Sequence, residues 1–293
     1  MSDTTERPRI AFVGLGAMGA PMAARLAVTH EVIGVDPVTP QGPPAGVEVV
    51  TDLAAASGRV DLVCLSLPSP AACDSVVTRI IAQNGPRPAR VLDLSTIGVE
   101  IVRDLAGRLA EVGVGYVDAP VSGGVLAAGS GTLSTMVAGA SADLEAVRPV
   151  LDIIADKVYV MGAEAGLGQV MKVANNICAL TSILVTSEAV AYGVSQGLDM
   201  ALMIDVINGS TGRTHASEFK FPRSIIPGTY DYGARGEITA KDVHLYVHEA
   251  ERTHAARSVA TAADAMWQGF IAAHPETDFT YVYEYIRGLA RDE

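Results

Sequence analysis

The sequence predicts an α/β protein with two domains, in which a doubly wound, mostly parallel sheet is followed by an all-α domain. Short apolar strands alternate with amphipathic helices up to about residue 164. Beyond that point the strand signals stop, and helical periodicity continues to the end of the chain. A chain of 293 residues can bury two cores. We therefore expect a sheet domain at 1–164 and a helical domain at 165–293, joined by a long interdomain helix.

The first strand, predicted at 9–13, leads directly into the turn GLGAMG and then into a helical run. In this context a G-x-G-x-x-G turn binds the pyrophosphate of a dinucleotide, which makes the first domain Rossmann-type. The first glycine permits a tight turn, the second lets the backbone approach the ligand, and the third lets helix and strand pack closely. The alternative is a glycine-rich turn without a ligand. The predicted cofactor contacts are Gly14, Leu15, Gly16, Ala17, Met18 and Gly19.

The second strand, predicted at 31–36, supports the dinucleotide interpretation because it ends in an acid. Asp36 lies about twenty residues beyond the glycines, where a carboxylate binds the ribose hydroxyls of the adenosine. A carboxylate there would also repel a 2′-phosphate. The predicted cofactor is therefore NAD rather than NADP.

The remaining strands are predicted at 61–67, 90–95, 114–119, 132–139 and 157–162. A doubly wound sheet binds its ligand at the carboxyl ends of its strands. Leu67, Pro68 and Thr96 lie at those ends and are predicted to contact the cofactor. Ordinary strand-to-helix turn chemistry is the alternative explanation for them.

The segment 120–131, PVSGGVLAAGSG, is predicted to be a loop and is rich in glycine. Ser122, Gly123 and Gly124 could direct backbone N–H groups at an anion. A flexible crossover without a ligand is the alternative.

The helix predicted at 165–195 places Gln169, Lys172 and Asn176 on one face. Its later part carries so little charge that burial on nearly all sides is expected, with Glu188 as a paired core carboxylate. Burial disfavours a charged lysine and lowers its pKa, which suits a general base. Alternatively, Lys172 is a helix-end lysine that reaches solvent. Only four lysines stand against seventeen arginines, so each lysine is informative.

Further helices are predicted at 199–208, 216–225, 238–273 and 278–290. Lys241 and Asp242 are expected at a helix start, where a lysine is unfavourable for the helix dipole and an aspartate favourable. His244 and His248 have i, i+4 spacing, but no third ligand follows at a convincing distance, so we predict no metal site.

The formal net charge of −12 argues against nucleic acid or an anionic membrane as a partner, because both require a basic surface. Small anionic substrates remain possible. The three cysteines form no CxxC pair and are expected to be reduced thiols in a cytoplasmic protein. The opening MSDTTERP lacks the apolar region of a signal peptide. The run 171–194 could span a bilayer, but its polar residues favour a buried helix of a soluble protein.

Five motifs between residues 14 and 245 resemble the 3-hydroxyisobutyrate dehydrogenase, or β-hydroxyacid dehydrogenase, family, and the match extends from about residue 9 to 288. Their order and separation match the family over nearly the whole chain. The motifs are GLGAMGAPMAARL (14–26), DLSTIGVE (93–100), DAPVSGGVLAAGSGTL (118–133), GLGQVMKVANN (166–176) and KDVHL (241–245).

The resemblance implies NAD-dependent oxidation of a short 3-hydroxy acid, with Lys172 as the catalytic acid/base. Ser122, Gly123 and Gly124 would bind the substrate carboxylate, and Asn176 would orient the substrate. The resemblance also implies an all-helical substrate domain. A homodimer or homotetramer with intertwined helical halves is expected.

The resemblance further implies that Thr96 and Lys241 line the nicotinamide side of the cofactor site. Two departures from the family leave the identity of the acid open. Family members active on 3-hydroxyisobutyrate often have an aromatic residue shortly after an SxGR-like turn, whereas STGRTHASEF (210–219) of this chain has His215 nearby and Phe219 later. Many also have apolar residues where ARGEITA places Glu237.

Three other functions compete with this one. An imine reductase on the same scaffold typically replaces the lysine, so Lys172 argues against it. A decarboxylating 6-phosphogluconate-type dehydrogenase would need more cations than this lysine-poor site offers, although Arg213 and Arg223 are candidates. A non-enzymatic cofactor-binding module would tend to have lost the lysine.

Overall fold

The computed structural model describes residues 7–38 and 42–292. The chain divides into two compact units, Met1–Lys172 and Val173–Glu293. The division falls inside the long helix, eight residues beyond the boundary predicted at 164/165. Residues 1–6, which make up most of the segment compared with a signal peptide, lie outside the described part.

The first unit contains one nine-stranded sheet. Its strands are β1 (Ile10–Val13), β2 (Val32–Val35), β3 (Glu48–Val50), β4 (Leu62–Leu65), β5 (Arg90–Asp93), β6 (Gly115–Asp118), β7 (Val121–Ser122), β8 (Leu133–Ala138) and β9 (Ala155–Gly162). The strand order is β3-β2-β1-β4-β5-β6-β8-β7, and β9 pairs with β8. Only the pairings of β8 with β6 and β7 are antiparallel. The predicted doubly wound, mostly parallel sheet is confirmed.

Helices cover both faces of the sheet, which explains why the central strands are apolar throughout. All residues of β1, β2 and β4 are buried, as expected of parallel strands covered on both sides. Two separate apolar clusters, one for each face, contain these strands. The helices are α1 (Gly19–Ala27), α2 (Pro70–Ala82), α3 (Val99–Glu111), α4 (Gly124–Ser130) and α5 (Ser141–Ile154).

The loop predicted at 120–131 is wrong in part, because the structure places β7 and α4 there. Strand β3 was also not predicted. A two-residue strand and a three-residue strand are too short for an alternating pattern to emerge. Helix α4 consists largely of small residues, so its sequence resembles a loop.

All the regular elements that the structure describes in the second unit are helical. It contains most of α6 (Leu167–Ser195), then α7 (Met200–Asn208), a π-helix (Ala216–Ile225), α8 (Gly236–Arg252), α9 (Ser258–Ala273), a short 3₁₀ helix (Phe279–Tyr281) and α10 (Val282–Asp292). Its core is built around large aromatic side chains that are almost fully buried: Phe221, Trp267, Phe270 and Tyr283.

The single helix predicted at 238–273 is two helices, α8 and α9. The chain turns at His254, whose φ is +56°, and the N–H of Ala255 bonds back to the carbonyl of Ala250 over 2.8 Å. The hydroxyl of Thr253 donates to the carbonyl of Glu249 over 2.8 Å and helps to end α8. The break contains neither glycine nor proline, so the sequence carried no strong stop signal.

Helix α6 is not buried on all sides, contrary to the prediction. Its exposed face repeats at seven-residue intervals through Cys178, Val185 and Tyr192, the last two being 55% and 70% exposed. Glu188 is exposed as well, so it is not a core carboxylate. By length and composition α6 could cross a membrane, but the core helix of a soluble protein meets the same criteria.

Candidate active site

The glycine turn after β1 has the close contacts that its sequence predicts. A Cβ on Gly14, whose φ is +95°, would lie 2.3 Å from the carbonyl oxygen of Ser66, and one on Gly19 would lie 1.9 Å from the carbonyl oxygen of Gly14. Gly16 is exposed and has open space around it. Glycine is thus required at the first and third positions by the protein itself, whereas the middle position is open to a ligand. This arrangement fits a dinucleotide pyrophosphate.

Asp36 is held against the same turn by two backbone donors. The N–H of Leu15 donates to Oδ2 over 2.8 Å, and the N–H of Val38 donates to Oδ1 over 2.9 Å. Each carboxylate oxygen keeps a second lone pair for another donor. The carboxylate is therefore oriented beside the turn and can still accept hydrogen bonds from ribose hydroxyls.

The loops that follow β4 and β5 are joined by a hydrogen bond at the carboxyl ends of these strands. The N–H of Leu67 donates to Oγ of Ser95 over 2.9 Å, so the predicted cofactor contacts Leu67 and Thr96 belong to neighbouring loops. Pro68 is exposed, whereas Leu67 and Thr96 are half-buried. Asp93, the last residue of β5, is buried, and burial raises the pKa of its carboxyl. Its Oδ2 accepts a hydrogen bond from the hydroxyl of Tyr116 over 2.7 Å.

The predicted carboxylate-binding residues lie where β7 passes into α4. Ser122 ends the strand, Gly123 precedes the helix with a φ of +134°, and Gly124 begins it with a φ of +74°. A Cβ on Gly123 would lie 2.8 Å from Cβ of Ala127, whereas one on Gly124 would meet nothing within 4 Å. Gly124 thus faces open space, and a bulky residue at Gly123 would disturb the protein's own packing before it crowded a ligand.

Gln169 is fully buried and anchors the first turn of α6 to the loop after β5. Its Oε1 accepts hydrogen bonds from the N–H groups of Ile97 and Gly98 over 3.0 and 3.2 Å. Its Nε2 donates to the carbonyl of Ser95 over 3.0 Å and to Oδ1 of Asp118 over 2.8 Å. Gln169 was predicted to share a face of the helix with Lys172 and Asn176. Both ends of its amide are bonded to the protein, so it is not available to a substrate.

Asp118, at the end of β6, completes this anchor. Its Oδ2 accepts the N–H groups of Gly166 and Gln169, each over 3.1 Å. Burial raises the pKa of Asp118 to about 7, although these donors act in the opposite direction. A Cβ on Gly168 would lie 2.4 Å from the carbonyl oxygen of Met136, so the start of α6 is packed directly against the sheet. Sequence inspection did not identify this anchor.

Lys172 lies one turn after Gln169 and is 8% exposed. The position of its turn is fixed by the hydrogen bonds of Gln169 and Asp118, so the lysine is buried on a rigid support. The alternative of a helix-end lysine that reaches freely into solvent does not fit this burial.

Asn176 follows Lys172 by one helical turn and belongs to the second unit. It is 8% exposed, and its Nδ2 donates to Oδ2 of Asp242 over 2.7 Å. Lys241 lies with its ammonium 3.2 Å from Oδ1 of Asp242. Helix α8 begins at Gly236, so Lys241 and Asp242 are not at a helix start as predicted, and the dipole explanation for them fails.

The sequence left the roles of Glu237 and Arg213 open, and in the structure both bind other residues of the protein. Oε1 of Glu237 accepts the N–H of Glu276 over 2.6 Å, which supports a turn where Glu276 has a φ of +59°. The same hydrogen bond lowers the pKa of Glu237. Arg213 forms an ion pair with Glu218 at 3.6 Å.

Lys220 is a buried lysine that sequence inspection passed over. It is 4% exposed, and its Nζ lies 2.8 Å from Nδ1 of His215. The ring centroids of Tyr232 and Phe279 are 5.7 and 5.9 Å from Nζ. Among the described residues, no carboxylate lies within ion-pair distance of Lys220. Burial therefore lowers the pKa of Lys220 to about 8.

We expect Lys220→Met to raise the free energy of unfolding at pH 7 by about 1–3 kcal/mol, because it removes a buried charge that lacks an anionic partner. The folded-state pKa lies below the unfolded value of 10.5, so the stability of the parent rises between about pH 8 and 10.5. The advantage of the variant should shrink over that range. Urea denaturation at pH 7 and 10 measures both effects.

Lys157→Met, at an exposed lysine of β9, is the control and should change stability by less than about 0.5 kcal/mol. A loss of stability in Lys220→Met at pH 7 would contradict the interpretation.

Comparison with known proteins agrees with this geometry over both units. A family model described as the NAD binding domain of 6-phosphogluconate dehydrogenase matches residues 9–162. A second, described as NAD-binding of NADP-dependent 3-hydroxyisobutyrate dehydrogenase, matches residues 166–286.

Similar proteins of known sequence or structure carry consistent names. A probable 3-hydroxyisobutyrate dehydrogenase of Mycobacterium tuberculosis is 34% identical, over 96% of this chain and 98% of its own length. A 2-(hydroxymethyl)glutarate dehydrogenase of Eubacterium barkeri is 31% identical, over 89% of this chain and 88% of its own.

A solved structure of M. tuberculosis 3-hydroxyisobutyrate dehydrogenase with L-serine has a TM-score of 0.84 and 32% identity, over 96% of this chain and 99% of its own. An imine reductase of Streptomyces aurantiacus, at 23% identity and a TM-score of 0.59, shares the fold alone. The glycine turn, the buried lysine and matches over both units together show that the chain belongs to the 3-hydroxyisobutyrate dehydrogenase family, as a hydroxy-acid dehydrogenase that binds a nicotinamide dinucleotide.

Proposed function

We propose that the protein oxidises the hydroxyl of a short 3-hydroxy acid to the corresponding semialdehyde or keto acid, with NAD as the cofactor. The observation that carries the proposal is Lys172, a buried lysine on a helix turn that Gln169 and Asp118 anchor to the strand ends. An amine in such a place suits proton transfer better than surface solvation.

In this proposal the bound dinucleotide supplies the hydride acceptor. The Ser122–Gly124 segment binds the carboxylate of the acid through backbone N–H groups, and Asn176 orients the substrate. Neutral Lys172 accepts the hydroxyl proton as the carbinol carbon loses its hydride, and the C–O bond becomes a carbonyl. In the reverse direction the Lys172 ammonium returns the proton to the oxygen. The proposed cofactor role of Lys241 stays a prediction.

The proposal is tested by following NADH formation across a panel of short 3-hydroxy acids. The panel should include 3-hydroxyisobutyrate, glycerate, serine, threonate and 2-(hydroxymethyl)glutarate, since relatives are named for or solved with some of these compounds. Turnover of at least one acid supports the proposal. Turnover only of imines or of 6-phosphogluconate would replace it with one of the competing functions.

We expect NAD to be preferred over NADP by at least about tenfold in kcat/KM, since placing like charges together costs several kcal/mol. Asp36 is fixed beside the glycine turn, and the residues that follow, PVTPQ, contain no cation to pair with a 2′-phosphate. Asp36→Asn should reduce the preference for NAD over NADP, because removing the carboxylate charge improves kcat/KM with NADP. Steady-state kinetics with both cofactors measures this, and equal efficiency in the parent would refute it.

We also propose that the protein is a cytoplasmic homodimer or homotetramer. The exposed seven-residue repeat of α6 at Cys178, Val185 and Tyr192 supports self-association, because such a stripe is typical of helix pairing. The free thiols of Cys64 and Cys73 suit a reducing compartment. Light scattering coupled to gel filtration gives the oligomeric state.

A further inference from the structure

The side-chain amide of Asn176 is bonded at both of its ends. Its Nδ2 donates to Oδ2 of Asp242 over 2.7 Å, and its Oδ1 accepts a hydrogen bond from Nδ2 of Asn175 over 3.2 Å. Asn176 and Asp242 are 8% and 9% exposed. An ionised carboxylate can only accept hydrogen bonds, so Asp242 determines which end of the amide is the nitrogen. One N–H of Nδ2 remains for another acceptor.

Stability of helix α8 does not explain why an aspartate stands at this position. Asp242 is the seventh residue of α8, beyond the first turn where a carboxylate favours the helix dipole. Aspartate is a poor helix former and is seldom buried without a partner. Its Oδ1 makes no hydrogen bond to the described residues. The ammonium of Lys241 lies 3.2 Å from that atom, at ion-pair distance.

We propose that Asp242 is the positioning residue for Asn176, and that it makes the amide present an N–H, rather than its carbonyl, to the oxygens of the hydroxy acid. A substrate carboxylate or hydroxyl oxygen needs a donor there. An amide turned the other way would set a carbonyl oxygen against an anion, which is repulsive. Charge-assisted hydrogen bonds are about twice as strong as neutral ones, so Asp242 can hold one orientation. The inference rests on the proposed function, in which Asn176 contacts the substrate.

The experiment is a double-mutant cycle between Asp242 and Asn176, measured as kcat and KM with NAD and the best acid of the panel. Asp242→Ala should raise KM for the acid about ten- to a hundredfold, because a hydrogen bond to a charged group is lost. The kcat should change less. In an Asn176→Ala background the same substitution should change KM by less than about threefold, since the residue acts through Asn176.

Asp242→Asn keeps the shape of the side chain, but its amide can donate as well as accept, so it no longer determines which end of the Asn176 amide is the nitrogen. It should therefore raise KM toward that of the alanine variant, and it disturbs folding less than alanine. Asp205→Ala removes the same charge from an exposed site on α7 and should leave both constants unchanged.

An effect of Asp242→Ala that is equally large with and without Asn176 would overturn the inference while leaving the proposed function standing. So would a well-folded Asp242→Asn with the KM of the parent. An absence of turnover of every acid by the parent would instead overturn the proposed function, and the inference with it.

Discussion

Lys172→Ala is expected to lower kcat for hydroxy-acid oxidation by roughly a hundred- to ten-thousandfold, the usual contribution of a positioned proton acceptor. The fold should remain, because the turn that carries the lysine is fixed by Gln169 and Asp118 rather than by the ammonium. NAD affinity should remain as well, since the glycine turn and Asp36 are untouched. Single-turnover and steady-state kinetics, with NAD binding followed by fluorescence, measure these quantities.

Lys172→Arg separates proton transfer from attraction of the substrate carboxylate. Arginine keeps the positive charge but cannot give up its proton in a protein, so it should be nearly as damaging as alanine. Activity of the parent in the oxidation direction should rise with pH, because the base works only when it is neutral. Lys157→Ala, at an exposed lysine, is the matched control and should be fully active. Near-normal turnover in Lys172→Arg would show that another group accepts the proton.

The glycine turn could be predicted from sequence because its constraints are local. Whether a Cβ fits at Gly14 or Gly19 depends on residues within the same strand, turn and helix or on the adjoining strand. The order of strand, turn and helix already implies that arrangement. The same holds for Asp36, which ends the neighbouring strand and meets Leu15 through one hydrogen bond.

The anchor of α6 could not be predicted, because it joins residues distant in sequence. Gln169 bonds to the loop at 95–98 and to Asp118, and helical periodicity alone placed it beside Lys172 on an apparently open face. The amide of Gln169 itself could have indicated the anchor, since a glutamine buried among apolar residues needs hydrogen-bond partners for its oxygen and nitrogen. Lys220 carried a similar signal, as a lysine set between Phe219 and Phe221 in a chain with four lysines.

Short elements were the other failure. Strand β7 has no periodicity of its own and forms because β8 offers an edge to pair with, and helix α4 consists largely of small residues that resemble a loop. At the break between α8 and α9 the backbone of His254 has a φ of +56°. No glycine stands there to indicate in the sequence that the helix ends. Tertiary context therefore decided the structure at these three places.

Gln169→Leu is expected to lower the free energy of unfolding by about 3 kcal/mol or more, with a larger loss above about pH 7, because the side-chain hydrogen bond from Gln169 lowers the pKa of Asp118. It leaves buried groups without partners, each of which costs about 1–3 kcal/mol: the N–H groups of Ile97 and Gly98 and Oδ1 of Asp118. Denaturant titration between pH 5 and 8.5, compared with the parent at each pH, measures the loss. The parent is needed as a baseline because Asp118, with its pKa raised to about 7, contributes less stability as the pH rises toward 7.

Gln169→Glu should instead be destabilising in a pH-dependent way. One oxygen of the new glutamate can still accept from the N–H groups of Ile97 and Gly98. The other oxygen replaces Nε2 and therefore faces Oδ1 of Asp118, where the parent has a hydrogen bond of 2.8 Å. Two carboxyl groups this close share one proton, so the folded protein keeps a proton that the unfolded chain releases above about pH 4.5. Stability should therefore fall with rising pH, by about 1.4 kcal/mol per unit, and approach that of the parent near pH 5.

Asp118→Asn combined with Gln169→Glu exchanges donor and acceptor across the same contact. The oxygen of the new asparagine can accept from the N–H groups of Gly166 and Gln169 as Oδ2 does now, and its NH₂ can donate to the new glutamate. This double variant should recover part of the stability lost at pH 8 and reduce the pH dependence, because the oxygen that replaces Nε2 still faces the carbonyl of Ser95 without a donor. If the single Gln169→Glu variant were as stable as the parent at pH 8, the two side chains would not face each other, and the support inferred for the turn that carries Lys172 would be wrong.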